Sequence, residues 1–566
     1  PVQSDAKPYS VAKVRALFSE ILASSSVTEG ERAAIEELEK GFAITYGEVE
    51  SPTMMDALQS TGYLTLVQNE DLAISAGAKF TNQDSVSLLG DGLDIRNKAT
   101  AYILGNVEDA VSFYMDFSLL LDKVDHRTFL ASDFTHECEG WYQDLGNEGE
   151  KDMTSPFSKL RDGLAMNPEV AATLFDNALS VRFASVKRDW GPARNNLALA
   201  SSARPFDGLE FTYAPSDRFS LSWLIGSLGK SYLVMDGEAL PLGDLGLHSN
   251  LYDNNFTLQR VEVTPIKGLK LSIFESVVWR KRFELAYMNP LCIYMFAQNY
   301  IGDFDNMLAG ADFSYTLPGV GKFYGALAID ELNSANPKKM ISWARNIVAL
   351  QGGVKMPLPV FSFGELTLQA TYIPPFFGTH YEFAENPWGS DRMGIAYVNK
   401  GQPLSYPVTP DSVELLASLG TTVPGGVSVD LVVKDQMRSA QYATSEKYGT
   451  TLHDIIAYSH SGEYAEKDFF SYIWDNTLSV SVTGKYSFGH LPLSLTASLE
   501  GILDTRRDYS FAVALPESGK EETGRNEDGD ITVLPVKYNN GKNTIMGSDW
   551  NSTFRLIGRV GFSLYY

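Results

Sequence analysis

Cysteine is almost absent from this chain of 566 residues: Cys138 and Cys292 are the only two. So few, so far apart, exclude a disulfide scaffold and every cysteine-based zinc motif. Whether the two thiols join in an oxidising compartment stays open. Long apolar runs are missing as well. No stretch approaches the roughly 18 residues that a membrane-spanning helix needs, and mean hydropathy is slightly negative. Positive charge is scarce: 46 Lys and Arg stand against 70 Asp and Glu, for a formal net charge of −24. Phosphate binding needs a basic stripe, so a nucleic-acid partner is excluded, and unassisted binding of strongly anionic polymers is disfavoured. Catalytic signatures are lacking too. There is no Gly-x-Ser-x-Gly elbow, no His-Glu-x-x-His pair and no phosphate-cradling Gly-x-x-x-x-Gly-Lys loop, and His136-Glu137-Cys138 is only a fragment. The chain is therefore read as non-enzymatic. What remains is a soluble protein or a transmembrane β-barrel, whose signal per strand is weak by nature. The first residues, Pro1-Val2-Gln3-Ser4, include neither an initiator Met nor a signal peptide, and the expectation is an export signal already removed.

Aromatic residues, by contrast, are abundant, with 28 Tyr and 31 Phe, which suits strands and the girdles of barrels. The stretch Asn551 to Tyr566 alternates strictly: Phe554, Leu556, Gly558, Val560, Phe562, Leu564 and Tyr566 share one face. A period of two over that length is a strand with unlike faces, long enough to cross a bilayer at the usual tilt. Backbone groups in lipid must all be paired, so such a strand demands a closed barrel. The same grammar recurs from Val111 to Leu121, from Phe219 to Ile225, from Phe323 to Ile329, from Leu366 to Tyr372, from Leu478 to Phe488 and from Leu493 to Leu503. Before the strands, Ser10 to Ala23 and Thr28 to Lys40 carry apolar residues at helical spacing, the second after a Thr28-x-x-Glu31 capping box. Residues 1–41 are thus a helical hairpin and residues 42–566 the barrel.

Short turns alternate with long polar connectors. The turns are Asn69 to Asp71, Gly105 to Ala110, Pro215 to Arg218, Pro265 to Gly268, Pro318 to Gly321, Pro357 to Ser362, Pro424 to Gly426 and Gly489 to Pro492. The connectors run from Asp122 to Arg194, Gly226 to Asn254, Trp279 to Gly310, Pro374 to Pro410, Met437 to Asn476 and Asp504 to Asn551. This is the asymmetry of outer-membrane barrels, with tight periplasmic turns and long extracellular loops. Eight turns join sixteen strands, and a first and a last bring the count to about eighteen. The first strand is expected around Phe42 to Val49, and Leu197 to Tyr213 as one strand interrupted at Arg204-Pro205. Pro168 to Ala178 reads as helical. Glu275 shares the parity of Leu269, Leu271 and Ile273, which places it above the lipid band or after a bulge.

Between about Val181 and Glu331 lies a series of short motifs. They are Arg188-Asp189-Trp190-Gly191-Pro192, Ala203-Arg204-Pro205-Phe206, Glu275, Arg282-Phe283-Glu284-Leu285-Ala286-Tyr287-Met288-Asn289-Pro290, Phe296-Ala297-Gln298, Gly302-Asp303-Phe304-Asp305-Asn306, Gly310-Ala311-Asp312-Phe313, and Tyr324-Gly325 with Asp330-Glu331. Their order and spacing resemble the Wzi-like family of capsule-assembly outer-membrane proteins. The chain departs from that family at Ala193, where a second glycine is usual, and at Cys292. The resemblance implies an eighteen-stranded barrel of the bacterial outer membrane with a helical N-terminal portion, and a lectin-like role in holding capsular polysaccharide at the cell surface.

The residue types agree with that chemistry. Glycans are recognised by flat aromatic faces together with planar polar groups that replace water at the hydroxyls. Arg188, Trp190, Arg194, Asn195, Asn196, Arg204, Glu284, Tyr287, Asn289, Gln298, Tyr300 and Asn306 are the candidates, as glycan contacts or as anchors that fold two long loops into the lumen as a plug. On the interior, Asp116, Arg182, Asp312, Asp330, Lys485, Glu500, Arg555 and Arg559 supply opposed charges. Such charges pair into networks that close a lumen or line a channel. Asp303-Phe304-Asp305-Asn306 and Asn526-Glu527-Asp528-Gly529-Asp530 are dense in oxygen ligands, but neither fits the twelve-residue calcium loop. They are read as solvated acidic loops, with Ca²⁺ as the only cofactor to test. The expected partners are surface polysaccharide and outer-membrane lipid. Two other roles stay open: a porin-like channel for small solutes, and a structural barrel that docks a partner protein.

Overall fold

The computed structural model describes residues 5–7, 9, 11–25, 27–45, 64–69, 71–89, 92–108, 110–123, 141–144, 160–203, 205–228, 233–235, 238–240, 254–280, 282–302, 305–332, 346–374, 377–378, 397–399, 402–408, 410, 412–423, 426–439, 473–488, 491–512, 524–525, 531–532 and 544–565. Twenty strands hydrogen-bond in one antiparallel sheet. Two of them, Leu64–Gln68 and Trp141–Asp144, are short flanking pieces; the other eighteen form the wall. Strands β1 to β6 are Leu72–Ser87, Leu93–Val107, Val111–Lys123, Leu160–Leu174, Leu179–Val186 and Phe206–Ser216. Strands β7 to β12 are Phe219–Ser227, Asn254–Ile266, Leu269–Arg280, Asn306–Leu317, Gly321–Leu332 and Asn346–Pro357. Strands β13 to β18 are Glu365–Ile373, Ser412–Val423, Val427–Ser439, Ile473–Ser487, Leu493–Ala512 and Thr544–Tyr565.

Each strand pairs with its successor, and β18 returns to β1 from Lys79↔Tyr565 to Ser87↔Ile557, closing the sheet. The other part of that β1 edge, Ala73 to Ala76, pairs with Leu64–Gln68. Closure removes the open ladder that lipid could not satisfy. The faces are unlike, as the period of two requires. On β3, Met115, Phe117, Leu119 and Leu121 are exposed, whereas Asp116, Ser118 and Leu120 are buried. An exposed apolar belt around a sheet without edges is the exterior of a membrane barrel, and the even strand number is that of single-chain bacterial outer-membrane barrels.

Two helices precede the wall: α1, Val11–Leu22, and α2, Glu29–Thr45. The capping box forms, since Thr28 Oγ1 accepts from Glu31 N at 3.3 Å while Glu31 Oε2 accepts from Thr28 N at 3.0 Å. The other carboxylate oxygen of Glu31 accepts from Phe363 N at 2.9 Å, which ties α2 to the turn between β12 and β13. Those two backbone donors, Phe363 first and Thr28 second, lower the pKa of Glu31.

Three local expectations need correction, and one pair of alternatives is decided. Phe42 to Thr45 are helical, so no strand begins there; residues 46–49 lie outside the described residues, and the wall starts at Leu72. Leu197 to Tyr213 is not one strand: residues 187–203 fold as a loop, and β6 begins only at Phe206. Pro168 is not in a helix but pairs with Met115 on β4, which turns through residues 175–178 into β5. The expected loop from Asp122 to Arg194 therefore contains a hairpin. Its turn places Phe175, Asp176 and Asn177 at positive φ, a conformation open to Asp and Asn and invisible to a search for Gly and Pro. Finally, Glu275 follows no bulge, because the β8–β9 and β9–β10 registers run through it unshifted.

Candidate functional site

The lumen between β5 and β14 is filled by chain. Residues 187–203 enter it and meet the segment Asp5 to Lys7, with Trp190 bridged to Ala6 on one side and Leu199 on the other. Trp190 N donates to Leu199 O at 3.0 Å, and the indole N–H donates to Lys7 O at 2.9 Å. The ring is 2% exposed and packs with Val186, Leu197, Leu199, Phe206 and wall residues such as Phe256 and Leu258. A second loop closes over the first: Ala200 N donates to Leu404 O at 2.8 Å, and Tyr397, Leu404, Tyr406 and Val408 join the same cluster. Burial pushes the Tyr397 and Tyr406 hydroxyls up, so both stay neutral donors.

Wall side chains hold this plug by its backbone. Gln369 Nε2 donates to Arg194 O at 3.0 Å, and its Oε1 accepts from Arg194 N at 3.0 Å. Gln351 Nε2 donates to Asn195 O at 2.9 Å. Asn196 staples the loop to itself, with Nδ2 donating to Asp189 Oδ1 at 2.6 Å and Oδ1 accepting from Ala193 N at 2.9 Å. Gly191 has φ +145, and a Cβ there would collide with the Asn196 side chain. Burial pushes the Asp189 carboxyl up, against the Asn196 bonds and the charges of Lys7 and Lys355.

Beside the plug three carboxylates and three cations lie together. Asp5 accepts from Lys322 Nζ at 2.8 Å and lies 3.5 Å from Lys270 Nζ. Asp5 N donates to Glu262 Oε2 at 2.9 Å. Arg260, fully buried, pairs with Asp312 and lies 3.4 Å from Glu262. Desolvation works against the charged form of Asp5, but Lys322, Lys270 and Arg260 outweigh it and hold the carboxyl at about 2. Charges taken this far from water survive only when matched in number and contact.

The connection between β9 and β10 goes elsewhere. It carries two short helices, α3, Leu285–Met288, and α4, Tyr294–Ile301. These pack on the outward-facing residues Trp223, Thr257, Val277 and Trp279 of the wall, outside the barrel. Tyr294 OH meets Trp223 Nε1 at 3.0 Å and Thr257 Oγ1 at 2.9 Å. Tyr287 is fully buried against Trp279, and its hydroxyl donates to Asp305 Oδ2 at 2.9 Å. Arg282 completes that node with two bonds to Asp305, at 2.9 and 2.5 Å. Burial first, then the Asp305 charge, raises the Tyr287 pKa, so the phenol stays a donor.

The sequence candidates thus fall in two places. Arg188, Trp190, Arg194, Asn195 and Asn196 are in the lumen; Arg188 is held by Glu210 at 2.9 Å, whereas the Arg194 side chain, 3.8 Å from Asp430, is 41% exposed. Glu284, Tyr287, Asn289, Gln298 and Tyr300 are on the outside. There Glu284 caps α3, Asn289 Oδ1 accepts from Leu291 N at 3.0 Å, and Gln298 Nε2 donates to Asp305 O at 2.6 Å. Tyr300 is 92% exposed, and Asn306 is buried in the lumen face of β10. Arg204, Cys138, Asp303, Phe304 and the run from Asn526 to Asp530 lie outside the described residues. Asp305 gives both oxygens to Arg282 and Tyr287, and among the described residues no group of three or more His, Cys, Asp and Glu could hold a metal ion.

Sequence reasoning missed Gln351, Gln369, Asp5 and Arg260, whereas Asp312, the partner of Arg260, was among the expected interior charges. Gln369 was legible, since it lies opposite the parity of Leu368 and Ala370. Asp5 was not, because nothing in a short leading segment marks it for burial.

Fold and site together define a transmembrane β-barrel of the bacterial outer membrane whose lumen is filled by its own loops along β5 to β14. No family model matches the chain, and no curated protein does. Among solved structures it is similar to Wzi of Escherichia coli, an outer-membrane protein involved in group 1 capsule assembly and a carbohydrate-binding β-barrel. The identity is 11%, covering 87% of this chain and 85% of that one at a TM-score of 0.46. It is also similar to OpdK of Pseudomonas aeruginosa (8% identity, 87% and 98% covered, TM-score 0.40) and to OccK8 of the same organism (10%, 88% and 98%, 0.39). Likeness at this level transfers no function.

Proposed function

We propose that this barrel is non-enzymatic and binds or organises surface polysaccharide at its extracellular mouth in a lectin-like manner. The observation that carries the reading is the plug. Residues 187–203, Tyr397, Leu404, Tyr406, Val408 and Ala6 pack an apolar core inside the lumen against β5 to β13, which suits holding a ligand at the mouth better than passing solute. Two of the motifs in which the sequence resembles capsule-assembly proteins, Arg188 to Pro192 and Ala203 to Phe206, lie at this plug. Arg194 is its partly exposed planar cation, of the kind that bridges sugar hydroxyls or uronate groups. Cells with and without the protein are compared for surface-held and shed polysaccharide. A shift of glycan to the medium at constant total supports retention, and an unchanged partition sinks the reading.

One observation favours a second reading, a porin-like channel for small solutes. Away from the plug the lumen face carries half-buried ion pairs, Arg555 with Asp504 and Arg559 with Glu500, both at 2.7 Å. Such a lining suits a water-filled path along β15 to β18. Stable conductance steps from the native protein in planar bilayers would favour it.

A further inference from the structure

The cap formed by residues 285–301 is largely built inside out. Apart from the exposed Asn289, Asn299 and Tyr300, its polar groups turn toward the wall: Glu275 accepts from Tyr294 N at 2.8 Å, and Gln259 Nε2 donates to Cys292 O at 2.7 Å and to Glu275. The Tyr294 hydroxyl is bonded to Trp223 and Thr257. Beyond the buried Tyr287, Tyr294 and Ala297, its large apolar groups turn away from the protein. Leu291 is 79% exposed and Ile293 52%, with Leu285, Met295 and Phe296 exposed beside them. A loop bathed in water buries the second kind and exposes the first. A surface in hydrocarbon must do the reverse, because lipid satisfies no hydrogen bond.

Position and composition agree. On β9 the outward series reads Leu271, Ile273, Glu275, Val277 and Trp279; Leu271 and Ile273 are exposed in the apolar belt, whereas Val277 and Trp279 are buried under the cap. The tip of the cap seats on Glu275, one outward step of about 7 Å beyond Ile273. The exposed apolar surface of the tip is therefore continuous with the belt that already faces lipid. Not one charged residue occurs from Leu285 to Ile301, in a chain of which 20% is charged.

We infer that this cap is an outer-leaflet anchor: it covers the polar upper wall at Thr257, Gln259 and Glu275 and presents Leu291, Ile293, Met295 and Phe296 to lipid acyl chains. The wall becomes taller and apolar on the β7–β10 side, which fixes how deep that side of the barrel rides. The reading is independent of what the lumen binds.

Full-length protein carrying Phe296→Trp, and separately Leu291→Trp, is reconstituted in phosphatidylcholine vesicles with plain or brominated acyl chains. The emission of each variant is read as the difference from the unsubstituted protein, and Val360→Trp in the β12–β13 turn serves as the reference. Both positions are surface residues, and gel mobility before and after heating checks that each variant has folded. The expected result is a roughly two-fold or greater loss of the difference emission in brominated vesicles, with little quenching by iodide, as for a group lodged at the headgroup and acyl boundary. Quenching by iodide alone would place the cap in water and overturn the inference. Shielding from both quenchers would mean that protein covers the cap, a second copy of this chain included, and would overturn it equally.

Discussion

Two loops of this barrel share a chemistry and end on opposite sides of the wall. Residues 187–203 and residues 282–302 both begin at the end of a strand and both carry tryptophan- or tyrosine-centred motifs. Each is also pinned by a buried aromatic, Trp190 in one and Tyr287 in the other. Each satisfies its polar groups against the wall, through Gln351 and Gln369 inside and through Gln259 and Glu275 outside. They differ in what is left over. The inner loop presents Arg194 and Asn195, and the outer one presents Leu291, Ile293 and Phe296. The leftover groups match the medium that each loop meets, water in the lumen and hydrocarbon outside. A loop is sorted by the face it cannot bury.

The largest test removes the inner anchor. Trp190→Ala deletes a fully enclosed indole and orphans Lys7 O, and it should cost about 3–5 kcal/mol in denaturant unfolding. The plug should loosen before the wall does, so conductance steps absent from the parent should appear while the outer cap stays protected from protease. The matching lesion outside is Asp305→Ala, which strips Arg282 and the Tyr287 hydroxyl of their shared carboxylate. Because Arg282 keeps 20% of its surface in solvent, the loss is expected at about 2–3 kcal/mol rather than the full figure for a buried pair. Protease should then cut the outer cap, with the conductance unchanged. If either variant disturbs both loops, the two are coupled through the wall and the contrast fails.

Acid should separate the loops without mutation. The Asp5 carboxyl, ordinarily near 3.8, is held at about 2 by Lys322, Lys270 and Arg260 against the pull of burial. A depressed pKa adds stability that is complete above the ordinary value and is lost as pH falls through the folded one. The window is therefore pH 4 to 2, and the size is about 2 kcal/mol. Gly191 N donates to Asp5 O at 3.0 Å, so the near-ultraviolet dichroism of the Trp190 region should change across that window. The change should be missing in Asp5→Asn, which has no carboxylate to titrate.

Much of the wall was legible because a strand between two solvents has no choice of pattern. β3, β16 and β17 announce themselves through unbroken alternation. The β4–β5 hairpin did not, since Pro168 and the residues Phe175-Asp176-Asn177 mask a strand and a turn as something else. The count of eighteen also came out partly by compensation. The turn from Asn69 to Asp71 joins only the flanking strand Leu64–Gln68 to β1, while the turn at residues 175–178 was passed over. The two loops were recognisable as special, yet inside and outside are spatial facts that no period encodes. The signal for the outer one was present as the uncharged run from Leu285 to Ile301. It was too short and too broken at Pro290 to register as a membrane segment.

The smallest effect sharpens the comparison from below. Thr28→Ala removes the cap of α2 and should cost about 1 kcal/mol, fraying the first turn, where Arg32 N donates to Thr28 O at 2.9 Å. Hydrogen exchange should quicken at Arg32, and at Phe363, whose amide is held by the same Glu31 that the box positions. The amide of Tyr294, bonded to Glu275 on the outer face, should not respond. Trp190 N is the informative one, because its loop rests on Asp5 to Lys7, just ahead of α1. Unchanged protection there would mean that the lumen charges alone hold the plug. Faster exchange at Trp190 with Tyr294 unmoved would mean that the helices support the inner loop from the periplasmic side, while the outer one depends on the wall and the lipid.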